Sequence, residues 1–152
     1  MIEIKTFDSL TPHQLYGIAA LRQEVFIVEQ QCLFNDLDHK DQQAIHLLYY
    51  LNGNISGVAR ILYLDKVSIG RIVVAKPYRN QGVAAALINA AMDYCKLSLN
   101  AFKIHLFAQA HLVKYYNKFG FTAVGNEFLE DGIPHQEMYY LAKSIAGSSQ
   151  KS

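Results

Sequence analysis

Tryptophan is absent from the 152-residue chain, which also holds only three prolines and two cysteines. Scarce proline, with no Pro/Gly-rich stretch, repeat or low-complexity segment, leaves nothing to read as a linker. One domain over 1–145 is expected, with 146–152 as a flexible C-terminal tail. The cysteines, Cys32 and Cys95, fit no CxxC or Cys/His metal spacing, so no metal site is expected. Cys95 shares the apolar side of a predicted helix with Leu87, Ile88 and Ala91 and reads as a small buried hydrophobe; Cys32, in a polar loop, reads as a free, non-catalytic thiol. No apolar run approaches the ~20 residues of a membrane-spanning helix. The N-terminal MIEIKTFDSL carries an early acid and no long apolar core, so it does not read as a secretory signal, and a cytoplasmic location is expected. Charge of one sign is lacking too: 14 Lys and Arg against 13 Asp and Glu give +1. That balance argues against a nucleic-acid surface and leaves small molecules and proteins as partners.

What is present is globular: 51% hydrophobic residues and 18% charged are enough apolar matter for a packed core. Ile2 and Ile4 alternate with polar residues as a first strand. Thr11-Pro12 reads as a cap and first turn of a helix to about Phe26, with Leu15, Ile18, Leu21 and Val25 on one face. Residues 30–43 are polar and acidic, with Asp36, Asp38, His39 and Asp41 in no metal-ligand spacing, and read as a solvated loop. AIHLLYYL and ISGVARILYL flank Asn52-Gly53, a hairpin signal. With VSIGRIVVA after a turn at Asp65-Lys66, residues 44–75 form an antiparallel meander; His46 within it reads as structural. A helix over 83–98, a strand over 103–110, a helix over 111–119 and a hairpin around DGIP complete an α/β (α+β) sheet domain.

The stretch KPYRNQGVAAAL (76–87) carries the first chemical signal. Gly82 lets a ligand approach the backbone, and the helix starting near Val83 offers unpaired amides at the positive end of its dipole. Arg79 adds a planar fork of donors suited to phosphate. The spacing is neither GxGxxG nor GxxxxGK[ST], so neither nucleotide-binding fingerprint applies. An ordinary strand-to-helix turn would use the same residues, and the loop alone does not decide.

Arg79, Gly82 and Ala84 set in R-x-x-G-x-A after an apolar strand resemble motif A of the GNAT (Gcn5-related N-acetyltransferase) superfamily, and YNKFGF (116–121) resembles its Y-x-x-x-G-F. Within it, LRQEVFIVEQQCLFNDLD (21–38), HLFAQAHLVKYY (105–116) and EDGIPH (130–135) are similar to the ElaA-like branch. The resemblance implies a GNAT fold: a mixed, mostly antiparallel sheet, flanked by helices, whose central parallel strands, about 67–75 and 103–108, splay apart. It implies acetyl-CoA as co-substrate, its arm on the backbone of Ile72, Val73 and Val74. The pyrophosphate would sit on Arg79, Asn80, Gln81, Gly82, Val83 and Ala84. Gln109 stands where many members have an asparagine that contacts the same arm. The implied activity is direct acetyl transfer to a primary amine of a small molecule, with Tyr116 as general acid. Glu130, His135 and His111 are candidate bases. Arg22, Glu29 and Gln30 are candidate acceptor contacts. A peptide or protein amine as acceptor, and a non-catalytic acyl-CoA sensor, are the alternatives; a homodimer is the implied assembly.

Overall fold

Asn52 and Gly53 both take positive φ, +52° and +77°, the backbone of a tight hairpin turn that matches strand twist. The turn joins β2 (Ile45–Leu51) to β3 (Asn54–Leu62), with β1 (Ile2–Thr6) on one edge and β4 (Ser68–Val74) on the other. β5 (Lys103–Gln109), β6 (Thr122–Ala123), β7 (Phe128–Glu130) and β8 (Ile133–Leu141) complete the sheet. Its order is β1-β2-β3-β4-β5-β8-β6, with β7 also on β8. Among the described residues only β4 and β5 run parallel; every other pairing is antiparallel. This computed structural model describes residues 1–142. The tail expected at 146–152 lies outside them.

Both sheet faces are covered along the meander. α1 (Pro12–Arg22) starts on a capping box between Thr11 and Gln14 and buries Ile18 and Leu21, with Val25 just beyond its end, against Leu48, Val58 and Val73. α2 (Val83–Leu97) covers the opposite face. It places Leu87, Ile88, Ala91 and Cys95 against Leu47, Ile61, Ile104 and Leu106. Burying each such leucine stabilises the fold by roughly 1.5–3 kcal/mol. α2 lies close because β3 presents Gly57 beneath its first turn: a Cβ there would sit 2.7 Å from Val83 Cγ1. Among the described residues no helix is long and apolar enough to cross a membrane.

Three expectations need correction. The first helix does not stop near Phe26; it widens into a π-helical stretch, Gln23–Glu29, with Gln30 N bonded to Val25 O at 3.1 Å. The acidic loop is not solvated. Asp36 and Asp41 are 4% and 8% exposed, and with Asp38 they neutralise Arg22, Arg60 and Arg71. The helix expected over 111–119 is shorter, a 3-10 turn at Ala110–Leu112 followed by α3 (Val113–Asn117). It ends because Gly120 takes φ +96° and reverses the chain. Phe121 then folds back beside Tyr116, ring centroids 6.4 Å apart. His46 is buried, and its Nε2–H donates to the Asp41 carbonyl at 2.8 Å.

Candidate active site

β4 and β5 meet at one registered pair, Ser68 and His105, where the His105 amide donates to the Val67 carbonyl at 2.9 Å. Beyond it the strands part. A bulge contributes: Gly70 faces Arg60 and Val73 faces Val58, so β4 uses Arg71 and Ile72 opposite Ala59 alone. A bulge bends its strand, and Arg71 occupies φ +49°, a left-handed value that a non-glycine residue adopts only when its surroundings enforce it. Between the strands lies a cavity of about 540 Å³.

Of the residues proposed from sequence, Ile72, Val73, Val74, Gln109, Tyr116, Arg79, Glu29, Gln30, His111, Glu130 and His135 all line this cavity. Gly82 takes φ +81° just before α2, and the position its Cβ would occupy is open space. No side chain caps α2, and its first internal bond is Ala86 N to Gly82 O at 3.0 Å. The amides of Val83, Ala84 and Ala85 therefore stand without helical partners, an anion-binding arrangement. Asn80 and Gln81 are exposed beside them, while the Val83 side chain is buried in the core, so Val83 offers only its backbone.

Arg79 is already occupied. Its Nε donates to the Val74 carbonyl at 3.0 Å, and its two terminal nitrogens grip Glu29 at 2.7 and 2.8 Å. The Arg79 hydrogen bonds, aided by its charge and that of Lys76, outweigh desolvation and hold the Glu29 carboxyl below the usual carboxylate range. Beside Glu29, the Gln109 amide donates to Gln30 at 3.3 Å. Arg22 does not reach the cavity. It is 1% exposed, its Nε on Asp36 at 2.9 Å and its Nη1 on Asp41 at 2.7 Å. Its place four residues after buried Ile18 and three before buried Val25 puts it on the packed face of the helix.

Tyr116 is buried beside Tyr115 and Phe121. Burial, with Tyr115 adding a little, pushes its phenol up to about 12. His135 stands opposite Gln109 on β8 and is 9% exposed. Its Nδ1 lies 2.7 Å from the Ile133 carbonyl. A carbonyl only accepts, so Nδ1 carries a proton; in the neutral ring the lone pair then falls on Nε2, 3.8 Å from Glu130. The ring stacks on Phe128 at 6.1 Å. His111 is exposed at the rim.

Cys32 is buried, its thiol 3.4 Å from the Asp131 carbonyl, and ties the loop after the π-helical stretch to the β7–β8 hairpin. Sequence reasoning missed Arg71, Lys40, Phe34 and Asp131, which also line the cavity. The available signal was Gly70-Arg71 interrupting the apolar run VSIGRIVVA.

The profile of the Acetyltransferase (GNAT) domain family matches residues 8–142. Protein ElaA of Escherichia coli (strain K12) is 37% identical over 134 residues, covering 84% of this chain and 88% of that one. The crystal structure of an acyl-CoA N-acyltransferase from Pseudomonas aeruginosa superposes with TM-score 0.86 at 34% identity, over 92% of this chain and 99% of that one. That of Escherichia coli ElaA superposes with TM-score 0.85 at 35% identity, over 92% and 99%.

Proposed function

The chain belongs to the GNAT acetyltransferase family, in its ElaA-like branch, and from that premise we propose that it transfers acetyl from acetyl-CoA directly to a primary amine of a small molecule. One observation carries the reading: the cavity between β4 and β5 is lined by Tyr116 and by Arg79, three residues before Gly82 and the uncapped start of α2. Acetyl-CoA, when bound, supplies an acetyl group activated as a thioester. The amides of Val83 and Ala84, with Gly82, Asn80, Gln81 and Arg79, suit its pyrophosphate. The backbone of Ile72, Val73 and Val74 and the amide of Gln109 suit its arm.

Tyr116 holds its proton at Oη and gives it to the departing sulfur. A phenol raised to about 12 stays protonated throughout the working range, so the acid is always loaded. His135 takes the proton of the acceptor amine at Nε2, the nitrogen left with a lone pair by the Nδ1 bond to Ile133. Coenzyme A release from acetyl-CoA across a panel of amines, polyamines, aminosugars and peptides tests the reading. Tyr116→Phe is expected to lower kcat about 100-fold with acetyl-CoA affinity, measured by calorimetry, unchanged. Tight binding without release for any amine would support the non-catalytic sensor instead.

A further inference from the structure

Most charged side chains around the cleft are already spent on one another. Glu29 holds Arg79, and Arg60 grips Asp38 at 2.9 and 3.0 Å. Three are not. Lys40 has no carboxylate within 4.0 Å, and Glu130 and Asp131 have no lysine or arginine that close, among the described residues. Arg71 is committed in part. Its Nε lies 2.7 Å from Asp36, and its Nη2 reaches the Asp36 carbonyl at 3.1 Å and Asp38 at 3.4 Å. Its Nη1 has no partner among the described residues. The Phe34 ring, 5.5 Å from the guanidinium carbon, holds the group in place at the cavity wall.

The cleft is therefore dipolar. Free cationic donors stand at the β4 bulge and the neighbouring 38–40 loop, and free carboxylates stand at the β7–β8 turn beside His135. Bending β4 does not call for an arginine, since glycine would take φ +49° without strain. Anchoring the acidic loop accounts for Nε and Nη2, and leaves Nη1 and Lys40 unexplained. We propose that the acceptor is an amine that also bears a carboxylate, bound by Arg71 Nη1 and Lys40 Nζ while its amine faces His135 and Glu130. The proposal rests on the acetyl-transfer reading and narrows its acceptor class. Arg71 Nη1 and Lys40 Nζ are both charged donors, and a hydrogen bond between ionised partners is stronger than one between neutral groups.

The test varies the acceptor before it varies the protein. Coenzyme A release is measured for pairs that differ only in carboxylate against carboxamide: lysine and lysinamide, β-alanine and β-alaninamide, 6-aminohexanoate and its amide. Expected is at least a tenfold higher kcat/KM for an acid than for its amide, carried by KM. Arg71→Gln and Lys40→Gln should each shrink the ratio by raising KM for the acid alone, and Arg71→Lys should restore part of it. Lys40 is exposed and unpaired, so its substitution leaves the fold intact and keeps the test valid if Arg71→Gln loosens the loop. Amides turning over as well as the acids, a ratio that survives both substitutions, or turnover confined to amines outside these pairs would overturn the inference while leaving acetyl transfer standing. Failure of the wild type to bind acetyl-CoA in calorimetry would overturn both.

Discussion

His135 is fixed by its backbone. The Nδ1 hydrogen bond to the Ile133 carbonyl sets the tautomer, and stacking on Phe128 sets the ring plane. Asparagine at this position can reproduce the Nδ1 donor and has no basic nitrogen. His135→Asn should thus leave the melting temperature and acetyl-CoA affinity near wild type and lower kcat about 100-fold. Unchanged kcat would move the base to His111 or Glu130. Neighbouring aromatics act differently on Tyr116: its motif pairs it with Gly120, whose missing Cβ would otherwise meet the Tyr140 ring at 2.9 Å. Alanine at Gly120 would meet both that contact and a positive φ, so the glycine of Y-x-x-x-G-F has a packing reason of its own.

At the scale of elements, the π-helical stretch carries Glu29 to the loop before α2. The resulting clasp on Arg79 competes with any anion that needs the same guanidinium. Glu29→Gln should raise coenzyme A affinity about two- to fivefold, as befits a partly exposed pair. Pantetheine, which has no phosphate, should bind both proteins alike. Equal affinities for coenzyme A would show that the clasp yields at no cost. The meander, the hairpin at Asn52-Gly53, α2 and its loop were all legible because periodicity and turn residues are local signals. The π-helical stretch was not, since its residues keep helical propensity and only the hydrogen-bond register changes. Nor was the burial of Asp36 and Asp41, because composition reports that a loop is acidic and not that Arg22 and Arg60, distant in sequence, fold beneath it. The stretch leading into the DGIP turn forms two short strands, β6 and β7, with Gly125 at φ +73° between them.

On the scale of the whole molecule, the Asp–Arg network couples stability to pH. Burial, the largest influence on Asp38, opposes ionisation. The hydrogen bonds and charge of Arg60, the Lys40 amide and the Arg71 charge outweigh it and bring the carboxyl down to about 2. Asp41 is lowered likewise against its burial, by Arg22 and Arg60. A value depressed below the unfolded chain's ~3.9 means that ionisation favours the fold. The contribution is whole above about pH 4 and is lost as pH falls toward 2. Urea titrations followed by circular dichroism should show stability falling steeply across that window. Asp38→Asn should start lower at pH 7 and fall less. A parallel pair of curves would remove Asp38 from the account. The pairing of β4 with β5 at Ser68 and His105 alone has a mechanical consequence. The two halves of the sheet meet like a book along a single stitch, so rocking about that seam changes the width of the gap while costing few backbone bonds. What holds the gap at its width is therefore side-chain packing, α2 against Leu47 and Ile61 on one half and against Ile104 and Leu106 on the other, rather than the ladder.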